Sequence, residues 1–309
     1  MTWTPFCVTS DQLIMLGLDS RRISILALTI LFVFSLQGCS IKRFARKYVR
    51  AASSAISDSL RQQPDPEIAR DASATLLLSI DAAISRSPDD PALLLGGAQS
   101  YTTYSSAFVQ EESAERAFIL YNRALEYALR ASRIAFDLDV TFADMTPDQL
   151  SVVLQNLDPD RVPYIYWTAY SWAGWLVTHH DTILAIADLP KIINLMEAVM
   201  KISPEFNDGG VFLFLGIYES RKPVIAGGNP EKCREYFERA IEIAGEEALM
   251  PRVLFAQYYA RSILDRELFV QLLDEVLAAP PTRSSDLNLA NALARLKATK
   301  LLSSVDDLF

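Results

Sequence analysis

Three groups of side chains are of the types that could do chemistry. Glu219 and Ser220 stand together at the end of an apolar stretch, and a carboxyl shielded from water is a general acid for glycoside cleavage. Downstream the chain reads Arg-Lys-Pro-Val-Ile-Ala-Gly-Gly. It lacks the Gly-Leu-Met-Gln run that peptidoglycan-lytic enzymes place after such a pair, which leaves lytic activity as the remote reading. His179 and His180 are adjacent, so on a helix they point about 100° apart and cannot chelate one metal together. No G-x-S-x-G nucleophile motif accompanies them. Asp137, Asp139 and Asp144 lack the spacing and glycine of a calcium loop. The whole chain has 2 histidines and 3 cysteines, too few soft ligands for a zinc or iron–sulfur centre. The expectation is a protein that is not an enzyme, without catalytic residues, metal or cofactor.

Binding is better provided for. Arg221, Pro223, Gly227 and Gly228 lead into a helix start at Asn229. Free N–H groups there, beside an arginine, suit a ligand carboxylate. The same loop also reads as a structural turn, with glycine supplying positive φ and Asn229 capping the helix. From Pro163 to His179 one helix is expected. Tyr164, Trp167, Trp172 and Trp175 fall on one half of it, Tyr166, Tyr170, Ala173 and Val177 on the other, and a helix apolar all round is buried. Of the 4 tryptophans, three lie here. Core packing is one role for this helix. Rigid rings also suit a pocket for an apolar or amphipathic ligand. On that reading Tyr166, Trp167, Tyr170, Trp172, Trp175, Arg221, Gly227 and Gly228 are the candidate ligand- or pore-lining residues.

These residues need elements to hold them. The chain has 309 residues, 50% hydrophobic and 22% charged, enough for a sizeable core. A net charge of -9, from 29 basic and 38 acidic residues, lacks the basic footprint of a nucleic-acid binder. Arg21 and Arg22 precede an apolar run, Ile23 to Leu36, shorter than the ~20 residues of a spanning helix, and Leu36-Gln-Gly-Cys39 follows. This resembles a bacterial lipoprotein signal, cut before Cys39, which then carries lipid. Met15 gives a more conventional start than Met1. Residues 1–38 are read as signal peptide, 39–62 as lipidated cysteine and basic segment, 63–309 as the folded domain. Lipidation of Cys39 leaves Cys233 as a buried, unpaired thiol. Ser40 after the anchor points to the outer membrane, on the periplasmic side. Lys42, Arg43, Arg46, Lys47 and Arg50 are placed either to touch anionic head groups or to form the solvated face of a first helix.

Beyond residue 41 the pattern is helical throughout. Asn229-Pro230 starts one helix and Gly245 stops it; Asp188 and Asp265 start others, ending at Ser203-Pro204 and before Pro280. Four segments share one spacing of apolar positions: Leu76/Ile80/Ala83, Ala117/Tyr121/Ala124, Ile192/Met196/Val199 and Cys233/Phe237/Ala240. Their starts lie 41, 75 and 41 residues apart. Leu95-Gly96-Gly97 and Leu215-Gly216 precede two of them, where a small residue admits a close helix partner. This is the tetratricopeptide plan, on an interval longer than the ~34 residues of its consensus. The fold class expected is all-α: a helical-hairpin array, or α-α superhelix, around a buried aromatic helix.

Several stretches together resemble the TRAP transporter TatT component family, tetratricopeptide-like lipoproteins associated with tripartite ATP-independent periplasmic transporters. They are Tyr121-Asn-Arg-Ala with Tyr127-Ala-Leu-Arg130, Tyr166-Trp167 with Trp172-Ala-Gly-Trp175, and Ala187-Asp188-Leu189-Pro190. Further on come Arg221-Lys-Pro223, Gly227-Gly228-Asn-Pro230, Tyr236-Phe237-Glu-Arg-Ala240, Phe269 with Leu272-Leu273, Leu289-Ala-Asn291 and the closing Asp306-Asp307-Leu308-Phe309. The resemblance implies a helical domain held at a membrane, an apolar channel or pocket, and work with the substrate-binding P subunit. It also implies a homo-oligomer, with a trimer the leading case. The function expected is a lipid-anchored accessory component of such a transport system; the alternative is a lipoprotein scaffold for envelope assembly.

Overall fold

The computed structural model describes residues 56–309, apart from 156, 180–186, 224 and 226. The leader, Cys39, Ser40 and the basic segment lie outside the described residues, as does His180. Residues 58–309 form one compact unit. Its helices are α1 (Pro66–Arg86), α2 (Pro91–Tyr104), α3 (Ala114–Ala135), α4 (Pro147–Leu154), α5 (Val162–Thr178) and α6 (Leu189–Ile202). Then follow α7 (Phe206–Ser220), α8 (Pro230–Ala244), α9 (Met250–Leu254), α10 (Arg266–Ala278), α11 (Asn288–Ser303) and α12 (Val305–Leu308). No strand occurs among the described residues, and the architecture is an all-α array.

Local chemistry explains where the helices begin. Asp65 accepts from Glu67 N and Ile68 N ahead of Pro66, and Asp90 repeats the arrangement ahead of Pro91. Thr146 and Gln149 form a reciprocal capping box at α4, Asn229 caps Lys232 N at α8, and Asp265 caps Leu268 N at α10. Each device supplies an acceptor to a donor the helix itself cannot satisfy, worth about 1 kcal/mol. Gly245 ends α8 at φ 83°, a conformation that costs glycine little.

Successive helices pack on one another from α1 to α3, across to α5 and on to α11. α2, α5, α7 and the segment after α9 form the inner layer, with α2 against α5, α7 against that segment, and the Tyr170 ring of α5 6.4 Å from Phe214 of α7. The short α4 and the 3-10 turn Pro159–Arg161 are inserted between α3 and α5, which accounts for the long 75-residue interval. Three apolar clusters make the core, centred on α2 and α3, on α5 to α7, and on α8 to α11.

Three of the four spaced segments are fully buried as the sequence predicts, for example Ala117, Tyr121 and Ala124 on α3. On α1 the stripe is shifted by one residue: Leu77 and Ile84 are buried while Leu76, Ile80 and Ala83 are half-buried. α1 packs chiefly on α2, so a narrower stripe suffices to cover it. The other end of the array returns to it. α11 touches α1, Lys297 and Lys300 pair with Glu111 at 2.7 and 3.0 Å, and Asn288 Nδ2 donates to Gln62 O at 3.0 Å.

Candidate functional site

The aromatic helix α5 lies at the centre of the largest core cluster. Tyr166, Trp167 and Trp172 are buried, whereas Tyr170 and Trp175 are half-buried. Tyr166 packs edge-on to Trp167 and Phe206 and stacks on Tyr170, with centroids 5.2 to 5.8 Å apart. Its hydroxyl accepts from Asn207 Nδ2 at 3.0 Å. Burial first, and then neighbouring Tyr170, pushes the Tyr166 hydroxyl far above its ordinary range, so it stays protonated. A side chain on Gly210 would put its Cβ 2.3 Å from that hydroxyl. The Asn207 donor is delivered by an unusual turn, Asn207, Asp208 and Gly209 all having left-handed φ of 52°, 54° and 74°. Such backbone is costly outside glycine and persists where its surroundings over-determine it.

Trp172 sits under the Lys191 ammonium at 5.8 Å. Trp175 stacks on His179, which stacks in turn on Phe118, at 4.9 and 4.8 Å. His179 is thus the C-cap of α5, held between rings. Two buried hydroxyl pairs interrupt the otherwise apolar surface of this helix. Ser171 Oγ meets Thr102 Oγ1, and Thr168 Oγ1 meets Ser132 Oγ, both at 2.7 Å. They tie α5 to α2 and to α3, satisfying one another where water is excluded.

The inner layer brings together a second set of polar rings. α2 continues as a π-helical segment, Ser105–Val109, and α9 as another, Phe255–Ala260. Such wide turns re-aim side chains and recur at functional sites. Tyr121 on α3 donates to Gln110 Oε1 at 2.6 Å. Burial raises the Tyr121 and Tyr170 hydroxyls above the ordinary phenol range; Tyr170 adds to the effect on Tyr121, and Tyr258 to that on Tyr170. The Tyr170 ring also lies 6.4 Å from Phe214 on α7. Ser105 Oγ and Gln257 Oε1 are buried with no hydrogen-bond partner among the described residues. Neither π segment was legible beforehand, since each follows ordinary helical sequence.

Arg221 follows α7 and places its guanidinium 5.5 Å over the Tyr258 ring. Gly227 has φ 84°. Gly228 N donates to Pro223 O at 3.0 Å, so tightly that a Cβ on Gly228 would lie 2.0 Å from Lys222 O. Both glycines are therefore required by the turn. The Arg221 loop and the Tyr170 face reach the same inner layer through Tyr258; Trp172 and Trp175 belong to the packing around α3 and α6. A cavity of about 290 Å3 opens beside Arg221, between the end of α7 and the start of α8.

Among the described residues no group of His, Cys, Asp or Glu is arranged to hold a metal ion, and no helix is long and apolar enough to cross a membrane. Comparison with known proteins adds what geometry alone does not. An uncharacterized protein of Treponema pallidum (strain Nichols) is 24% identical over 312 residues, spanning 88% of this chain and 93% of the relative. The sequence profile of the TRAP transporter T-component family matches residues 62–309. The match takes in α1 through α12, the aromatic helix and the Arg221 loop, and the chain therefore belongs to the TRAP transporter T-component family.

Proposed function

We propose that the chain is the lipid-anchored accessory component of a tripartite ATP-independent periplasmic transport system, where it binds the periplasmic substrate-binding P subunit. The observation that carries this reading is the family match across residues 62–309. On this reading Cys39 bears the lipid, Ser40 directs the protein to the outer membrane, and the basic residues after it lie against the membrane surface. The folded domain faces the periplasm as a homo-oligomer, with a trimer the leading case. An apolar or amphipathic organic ligand passes along the inner layer. Half-buried Tyr170, Phe214 and Tyr258 support that path, with Arg221 at its rim. Tyr166, Trp167 and Trp172 support it from behind as packing.

Uptake through the transport system tests the proposal. Removing the chain should abolish uptake of the substrate of that transport system, and the full chain supplied in trans should restore it. Unchanged uptake in its absence would refute the proposal. Mass analysis of the mature N-terminus tests the anchor separately, the expected species beginning at an acylated Cys39.

Scaffolding of envelope proteins is the second reading, favoured by the burial of Trp167 and Trp172, which are unavailable to a ligand. The two readings part at Tyr170. Tyr170→Ala should impair ligand transfer if the inner layer is a path, and leave it unaffected if the domain only scaffolds.

A further inference from the structure

Helix packs on helix from α1 to α11, and α11 comes back against α1. Most of that circuit is held by apolar side chains. The cluster on α2 and α3 shares Leu95, Tyr164 and Trp175 with the one on α5 to α7, which in turn shares Leu213 with the one on α8 to α11. Among the described residues the first and last clusters share none. The joint between them is made by hydrogen bonds and ion pairs. Gln62 Nε2 donates to Asp286 Oδ1 and Asn288 Nδ2 to Gln62 O, both at 3.0 Å, and Glu111 takes Lys297 and Lys300. Gln62, Glu111 and Lys300 are exposed, where such contacts are weak and screened by salt. On α11, Leu289, Leu293 and Leu296 share the Lys300 face, opposite buried Asn291, Ala294 and Ala298. None of these leucines belongs to an apolar cluster, so parting the seam breaks into no core.

Both sides of the seam are firm. Arg70 Nη2 on α1 donates to Phe108 O at 2.8 Å and pairs with Glu112, which holds the backbone on either side of Glu111. Lys297 and Lys300 stand on α11, which is packed on α9 and α10. Two firm bodies with a weak polar joint part along the joint before either loosens. Behind the joint lies the inner layer. Gln110, next to Glu111, accepts from the Tyr121 hydroxyl at 2.6 Å, and Ser105 lies beside that hydroxyl, itself buried with its Oγ unpaired.

We infer that the seam between α1 and α11 is a gate: parting of Glu111 from Lys297 and Lys300 lets α11 swing out and opens the inner layer from the side, so that a ligand enters broadside between the two helices. Re-pairing closes the circuit over it. The gate deepens the proposed path along the inner layer, but its test needs neither ligand nor transport partner, so the two stand or fall separately.

Maleimide labelling of a thiol placed behind the seam reads the opening. Ser105→Cys introduces it in the full chain; Ser171→Cys, equally buried but between α2 and α5, is the control. Cys233, buried and unpaired, serves as the internal reference on α8. Lys297→Ala with Lys300→Ala should raise the labelling rate of Ser105→Cys about tenfold. Salt at about 1 M, where the screening length is about 3 Å, should do the same to the unmodified seam. Glu111→Lys should open the gate by repulsion, and adding Lys297→Glu and Lys300→Glu should restore protection. Ser171→Cys and Cys233 should keep their rates throughout. Hydrogen exchange of Ser105–Val109 in the same charge variants gives the answer without a new cysteine, should Ser105→Cys fold poorly. A Ser105→Cys rate indifferent to the charge changes and to salt would overturn the inference. So would a parallel rise at Ser171→Cys, which marks loosening of the whole domain, or a charge swap that fails to restore protection.

Discussion

Glu247 accepts from the Thr282 hydroxyl at 2.7 Å, from Arg283 N and Nε at 2.9 and 2.8 Å, and from Ser284 N at 3.3 Å. The Thr282 and Arg283 bonds bring its pKa down from 4.5 to about 2. A carboxyl depressed on folding stabilises the fold above its ordinary pKa and loses that contribution as pH falls from about 4.5 to about 2. Glu247→Gln should accordingly lower Tm at neutral pH and flatten the acid limb of a Tm-against-pH curve. An acid limb identical to that of the unmodified chain would contradict this. Gly174 offers a test of sign. Helix propensity alone makes Gly174→Ala stabilising by about 1 kcal/mol, yet the new Cβ would lie 2.2 Å from the Tyr121 ring. Overpacking of that kind costs about 1–3 kcal/mol, so thermal melting should show destabilisation. Trp172→Ala removes a side chain 1% exposed and should cost about 3–5 kcal/mol.

The helices were legible wherever sequence carries its own punctuation. Asn229-Pro230, Asp265 and Ser203-Pro204 act through local backbone groups, and the observed bounds follow them. The aromatic run gave a single helix for the same reason: nothing between Pro163 and Thr178 interrupts it. Two kinds of feature were hidden. The π segments after α2 and α9 and the left-handed turn at Asn207 depend on what the neighbouring helices demand. The seam between α1 and α11 depends on where the far end of the array returns, and no spacing records that. The turn at Gly227 and Gly228 was legible because Gly-Gly-Asn-Pro is a local signal. Tyr258, which meets Arg221, carried none. Between elements, Asp81 accepts the hydroxyls of Tyr101 and Tyr127, both at 2.7 Å, joining α1, α2 and α3. Burial, with the Asp81 bond, lifts Tyr127 to about 12, so both phenols remain donors at physiological pH. Asp81→Ala should lower the stability of the first three helices by about 1–3 kcal/mol, read as faster hydrogen exchange there than in α10.

At the scale of the molecule, polar contacts join the two ends of the array. Burial would raise the Glu111 pKa, but the hydrogen bonds and charges of Lys297 and Lys300 outweigh it and hold the carboxyl below its ordinary range. Exposed ion pairs are worth about 1 kcal/mol or less and weaken with salt. Lys297→Ala with Lys300→Ala should therefore raise hydrogen exchange along α11 while α5 stays protected, and salt should do the same to the unmodified chain. The proposed transport role turns on the partner. Crosslinking in the native envelope, followed by capture of this chain and mass identification of what accompanies it, identifies that partner. Recovery of a periplasmic solute-binding protein belonging to a TRAP system is expected, with a native mass that also reports the oligomer of the chain itself. Recovery of outer-membrane assembly or secretion components alone would contradict it.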